Sequence, residues 1–372
     1  MALNPVPEPT PAGVVPVTLP SGRLELRIDH SLRPLDELLE FAVRRNPRRG
    51  FLFVSRVLGK HIPVDPAVAA ATHAELAAAL PPLSRPHFIG LAETATALGE
   101  GVSRAWEALT GQPGTFQHTT RYLTRHSLLL RFDEPHSHAP AHLLYDPGEA
   151  ARSARELVLV DDELSTGTTL HNLADAWLTR HPHLERVVLV CLTDWSGHHR
   201  QTWADFPRPV EVVSLLRGSF RFEANPAWQA PSLPALTGNG QDKTARLPAR
   251  GARFGTPGEP VAGVPHTDPG DRLLVLGLGE FQFPAFELAR TLAPRVASCH
   301  WSATTRSPVL PGLAIRHSLS FTDSVGDGMP NYLYNVDPGA YTRILVGYEG
   351  GCLPDGALMA QLGPHAQAVK LA

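Results

Sequence analysis

The sequence predicts an α/β protein built on a parallel sheet, followed by a second, smaller α/β domain. Three observations carry that expectation. Apolar, β-rich runs ("FLFVS", "HFIG", "ELVLV", "RVVLVC") alternate with stretches of helical composition. A segment dense in Pro and Gly, residues 225–268, interrupts the pattern with no hydrophobic period. A further strand–helix alternation then starts at "RLLVLGLGEF", residues 272–281, and runs to the end.

The elements follow in order. Residues 1–22 are Pro-rich and read as a disordered or loosely docked tail. "RLELRID", residues 23–29, alternates as a strand does. "PLDELLEFAVRRN", residues 34–46, has helical spacing, an acidic start and a basic end, which suits the helix dipole. "GFLFVSRVLGKHIPVDP" reads as strand, loop and proline stop, and "AVAAATHAELAAAL" as a helix by propensity. "HFIGLAE" is a short buried strand with a small-residue turn. Helix "ATALGEGVSRAWEAL", strand "TFQHTTR", a His-rich loop, strand "ELVLV", helix "LHNLADAWLTRH" and strands "RVVLVCLTDW" and "VEVVSLL" complete a domain over 23–224. Residues 225–268 are the expected linker, and 269–372 the second domain.

Composition narrows the function. The 372 residues suffice for two domains, and 43% are hydrophobic, ample for packed cores. A net charge of −3 argues against nucleic acid or an acidic membrane surface as partner. Three widely spaced cysteines argue against a disulfide framework or a zinc site and for a reducing compartment. The N-terminus lacks a signal pattern, and no apolar run approaches the roughly 20 residues that span a bilayer. A cytoplasmic location is the expectation. Lys60 is the single lysine in the first 240 residues.

The most informative stretch is "ELVLVDDELSTGTTL", residues 156–170. A buried strand ends in Asp161 and Asp162, where parallel sheets present their ligands. Ser165, Thr166, Gly167, Thr168 and Thr169 then form a small turn into a helix, with hydroxyls, free backbone amides and a favourable dipole. Such a turn suits a phosphate, and the two acids suit vicinal ribose hydroxyls. A solvated acidic turn and a divalent-metal pair are the competing readings. A Walker-type loop is disfavoured because Gly-x-x-x-x-Gly-Lys is absent.

"LVLVDDELSTGTT" closely resembles the phosphoribosyl-pyrophosphate (PRPP) loop of type I phosphoribosyltransferases. The resemblance implies that Asp161 and Asp162 hold the ribose and Ser165 to Thr169 the 5′-phosphate. A Ser at 165, where purine-salvage relatives carry a carboxylate, makes the chain look nearer the orotate type. "SRVLGKH", with Arg56 and Lys60, resembles the family's pyrophosphate loop. "HTTRYLTR", with Arg121 and Arg125, resembles its mobile catalytic loop. Glu93, in "GLAETATALGEG", and Glu134, His136 and His138, in "EPHSHAPAH", are candidates for acceptor contact; ordinary packing and a structural loop are the alternatives.

The C-terminal segment repeats the order of the first. "GLAE", "HTTR", "RHSLLLRF" and "APAHLLYD" are answered by "GLGE", "ATTR", "RHSLSF" and "MPNYLYNVD". Where a second PRPP loop is due stands "RILVGYEGG", with Gly347 and Tyr348 in place of the aspartates. One PRPP site is therefore expected, not two. "GLGEF" lacks the third Gly of a dinucleotide fingerprint.

"TTRSP", residues 304–308, resembles the signature of the TRSP domain. That domain follows a phosphoribosyltransferase in bacterial tellurite-resistance and stress gene clusters. Glu280, Thr305, Arg306 and Ser307 are candidates for a second-domain site. The resemblance implies transfer from PRPP, with Mg²⁺ carried mainly by PRPP near Asp161 and Asp162, to a small nitrogenous acceptor in a nucleotide-like pathway. Lys60, Arg121, Asp161 and Asp162 would be catalytic, with Arg56 aiding PRPP binding. A PRPP-sensing protein is the alternative. A homodimer, or pairing of the two halves within one chain, is the expected assembly.

Overall fold

The computed structural model describes residues 13–44, 49–133, 141–198, 201–229, 240–257 and 263–372. Its large sheet has the strand order Val14–Leu19, Gly22–Ser31, Val210–Ala224, Arg186–Asp194, Glu156–Val160, His87–Gly90, Thr115–His118. The last five are mutually parallel, as expected, and Gly22–Ser31 joins them antiparallel. Every residue of Glu156–Val160 is buried, because helices cover both faces. Alternation divides the side chains. Phe88, Val158 and Val160 pack with Leu98, Val102 and Trp106 of helix Thr96–Thr110. Ile89, Leu157 and Leu159 pack with Leu170, Leu173 and Trp177 of helix Thr168–Arg180.

Three expectations need correction. Residues 34–46 are not one helix: Leu35–Leu38 is a single turn, and Leu39–Val43 is a strand paired antiparallel with Phe51–Ser55. Tertiary pairing overrides the helical spacing here, since Phe41 sits opposite Phe53, ring to ring at 6.1 Å. The tail is shorter than expected, because Val14–Leu19 pairs with Gly22–Ser31 and buries Leu19. Pro16 is tolerated because that strand is an edge. The presumed linker is docked over residues 240–257, with Lys243, Leu247, Arg253 and Phe254 buried.

The second half has a parallel sheet in the order Ser298–Ala303, Arg272–Gly277, Arg343–Tyr348, Ala366–Lys370. This matches Thr115–His118, His87–Gly90, Glu156–Val160, Arg186–Asp194 strand for strand. A hairpin, Ser318–Thr322 with Pro330–Tyr334, corresponds to Leu128–Asp133 with Ala141–Tyr145. The halves meet through helices Thr96–Thr110 and Phe283–Leu292. They share a core in which Val64, Ala69 and Ala97 join Phe286, Ala289 and Trp301. Among the described residues no helix is long and apolar enough to cross a membrane.

Candidate active site

Neighbouring strands His87–Gly90 and Glu156–Val160 end together, with Gly90 opposite Val160. Leu91 N–H donates to the Val160 carbonyl at 2.9 Å, so the two outgoing loops leave side by side. Asp161 N–H donates to the Val190 carbonyl at 3.0 Å, and the Asp162 carbonyl accepts from Leu192 and Thr193 N–H at 3.1 and 3.3 Å. The two aspartates are thereby pinned by main chain and stay half-buried. Asp161 Oδ1 accepts Asp162 N–H at 2.9 Å. Burial and the neighbouring Glu163 raise the Asp162 pKa, while the Lys60 charge opposes that shift. Glu163 is itself drawn to Arg49 at 2.5 Å.

The turn beyond the acids ends in Gly167, at φ +74°, which opens helix Thr168–Arg180. A Cβ there would lie 2.7 Å from Trp203 Nε1. Gly167, at the N-cap, has no side chain to cap this helix. Apart from the long Thr168 N–H contact to Thr166, the first-turn amides have no side-chain cap among the described residues and can serve a ligand. Thr166 Oγ1 accepts from Thr168 Oγ1 at 3.1 Å and Thr168 N–H at 3.4 Å. Ser165, Thr166, Thr168 and Thr169 are half-exposed around it.

Lys60 is 4% exposed, so its charge must be answered nearby. Its Nζ donates to Thr94 Oγ1 at 2.8 Å and lies 3.7 Å from Glu93 Oε2. The structure thus brings Lys60, Glu93 and Asp162 to one sheet edge. Arg121 emerges one strand further on. Its Nη2 meets His142 Nε2 at 3.2 Å, while His142 Nδ1 meets Thr119 Oγ1 at 2.9 Å. His142 is a residue the sequence reading passed over. Its signal is its place in a strand opposite Phe132, on which its ring stacks at 4.9 Å.

Other candidates are placed elsewhere. Arg56 pairs with Glu40 on the antiparallel hairpin and is largely exposed. Arg125 pairs with Asp242 at 2.7 Å. Glu134, His136 and His138 lie outside the described residues.

The second half repeats the local geometry and crosses over to the first. Thr119 Oγ1 accepts Ala92 N–H at 2.8 Å, and Thr304 Oγ1 accepts Gly279 N–H at 2.9 Å. Glu93 Oε2 accepts from Thr305 Oγ1 and Arg306 N–H, both at 3.2 Å. Reciprocally, Glu280 accepts from Thr120 Oγ1 at 2.5 Å and Arg121 N–H at 2.8 Å. Each half's glutamate is therefore held by the other half's Thr-Thr-Arg. Ser307 N–H donates to Thr305 Oγ1 at 3.1 Å. The Arg306 guanidinium reaches Asp327 at 3.1 Å and lies over the Tyr122 ring at 5.1 Å.

Strand register refines the comparison of the two halves. Gly277 sits opposite Gly347 as Gly90 sits opposite Val160, so Tyr348 and Glu349 replace Asp161 and Asp162. The expected pair, Gly347 and Tyr348, is displaced by one residue, which spacing alone does not reveal. Glu349 is engaged by Arg253 at 2.8 and 3.1 Å, and Arg253 also reaches Glu280 at 3.3 Å. Burial works against the Arg253 charge, but Glu349 and Glu280 more than offset it and raise its pKa.

Residues 38–219 match a family described as phosphoribosyl transferase. Residues 258–362 match the TRSP domain, described as lying C-terminal to that transferase. No curated protein matches the chain. Among solved structures, adenine phosphoribosyltransferase from Giardia lamblia, complexed with 9-deazaadenine, is 17% identical with a TM-score of 0.33, covering 47% of this chain and 92% of that one. The enzyme from Thermoanaerobacter pseudethanolicus is 16% identical with a TM-score of 0.34, covering 49% and 96%. The chain is a phosphoribosyltransferase whose catalytic domain is followed by a TRSP domain.

Proposed function

We propose that the chain transfers the 5-phosphoribosyl group of PRPP to a small nitrogenous acceptor and releases pyrophosphate. The observation that carries this reading is the pair Asp161 and Asp162, pinned at a strand end between an uncapped helix N-terminus and the buried Lys60. Asp161 and Asp162 accept hydrogen bonds from the ribose diol, and the turn of Ser165 to Thr169 takes the 5′-phosphate. The C1′–O bond to pyrophosphate breaks, its electron pair leaving with the pyrophosphate. A nitrogen lone pair of the acceptor forms the new C1′–N bond from the opposite face, and the acceptor then loses a proton. Lys60 and Arg121 offset charge growing on the leaving group, so rate enhancement comes mainly from positioning and electrostatics.

Asp161 and Asp162 are adjacent hard oxygen donors of the kind that would hold Mg²⁺. Bound on the diphosphate, Mg²⁺ would supply further charge neutralisation. The pathway reading, a nucleotide-like metabolite made under stress, follows the TRSP resemblance.

The test is pyrophosphate release from PRPP and Mg²⁺ across a panel of bases and small amines, with Asp161→Asn/Asp162→Asn as control. Release that needs both an acceptor and the aspartates supports transfer. Tight PRPP binding with no release for any acceptor favours a sensor instead.

A further inference from the structure

We propose that the C-terminal half positions the two cations of the transferase site, Lys60 and Arg121, through the carboxylates Glu93 and Glu280. What the cations accomplish rests on the transferase reading; where they are held rests on geometry alone.

Among the described residues, Lys60 Nζ has one carboxylate within ion-pair distance, Glu93, at 3.7 Å. Glu93 Oε2 is fixed by two donors from the second half, Thr305 Oγ1 and Arg306 N–H. Glu93 Oε1 is buried with no partner among the described residues, so the Oε2 contacts set the orientation of the carboxylate. The loop carrying Lys60 is tied to the same half. Gly59, at φ +71°, lies so close to Trp301 that a Cβ would stand 2.2 Å from the ring. The Gly59 carbonyl accepts Ala303 N–H at 2.8 Å. Arg121 is held at its main chain: its N–H donates to Glu280 of the second half, as Arg306 N–H donates to Glu93, and Arg253 braces Glu280 from behind. Thr305 is fully buried and faces this joint, so its hydroxyl serves the first half's site. It is a positioning residue, acting through Glu93.

Three lysines make the test direct. Lys60 and Lys243 are buried and Lys370 is exposed, so amine-reactive labelling mapped by mass spectrometry separates them. Thr305→Val keeps the side-chain shape and removes the donor; Thr305→Ser restores it. In Thr305→Val, Lys60 should label about tenfold faster or more, relative to Lys370, as expected when a charge-assisted hydrogen bond is lost. Lys243 should stay slow, and Thr305→Ser should return to the native rate. Pyrophosphate release should lose kcat with the KM for PRPP little changed. Native Lys60 labelling in Thr305→Val would overturn the proposal, and so would an equal rise at Lys243, which signals general loosening. Selective Lys60 exposure in a protein that releases no pyrophosphate would sustain the positioning and overturn the transfer reading.

Discussion

Arg253 grips Glu349 with both terminal nitrogens, at 3.1 and 2.8 Å, where the first half presents Asp162. The second half thus meets its own carboxylate with an internal cation. In the first half Lys60 approaches Glu93, the counterpart of Glu280, while Asp162, the counterpart of Glu349, stays half-buried at the open edge. One duplicated framework gives one open site and one site closed by its own chain.

Arg253→Met should therefore be severely destabilising. It leaves Glu280 and Glu349 buried without their cation, a loss of about 3–5 kcal/mol. Urea unfolding of Arg253→Met and of Arg253→Met/Glu349→Gln checks this, with the double variant recovering part of the loss. A single-variant cost below about 1 kcal/mol would place the pair among weak surface contacts.

Asp161→Asn/Asp162→Asn should abolish measurable PRPP binding in calorimetry without unfolding the protein. Burial and Glu163 already raise the Asp162 pKa, so its ionised form costs stability. That cost is absent at acid pH, where the carboxyl is protonated, and grows as pH rises through its raised pKa. Asp162→Asn alone should accordingly raise the melting temperature slightly at neutral pH. A fall there would contradict the assigned environment.

Glu100 lies in helix Thr96–Thr110, and burial pushes its pKa to about 7, helped by Glu287 and Glu107 and opposed by Arg104. A raised carboxyl contributes stability that is complete below about pH 4.5 and is lost as pH climbs through about 7. Glu100→Gln should match the native protein at pH 4 and exceed it at pH 8, by up to about 3 kcal/mol. Paired denaturation curves across that range check the sign; a constant difference at all pH values would remove the titration from the account.

Gly167→Ala should cost stability twice over. A left-handed φ of +74° strains alanine by about 1–2 kcal/mol. The added Cβ also meets Trp203 Nε1 at 2.7 Å, so the turn must shift. PRPP affinity should fall about tenfold, the cost of misplacing one charge-assisted contact to the phosphate. Gly111→Ala, at φ +67° with nothing within 4 Å, isolates the strain and should leave PRPP affinity intact.

The aspartate pair and the turn after it were legible in sequence because their chemistry is local. A strand, two acids and a Gly turn lie within fifteen consecutive residues, and strand ends dictate where they point. The buried strands were legible for the same reason, through unbroken apolar runs. Leu39–Val43 misled because its spacing fits a helix, while its pairing with Phe51–Ser55 is a tertiary fact. Arg253 was hidden in a Pro- and Gly-rich stretch with no period, where composition reads as linker although the side chain is buried.

The sequence by itself determined the fold class, the phosphoribosyl-type motif at residues 156–170 and the repetition of short motifs in the second half. These follow from periodicity and from residues adjacent along the chain. Only the tertiary structure decided which residues stand opposite one another. It set Glu349, not Tyr348, at the counterpart of Asp162, closed that place with Arg253, and crossed Thr305 to Glu93 and Thr120 to Glu280. Strand register and the packing of the halves bring Thr305 to Glu93, 212 residues apart in sequence, a proximity that local pattern does not encode.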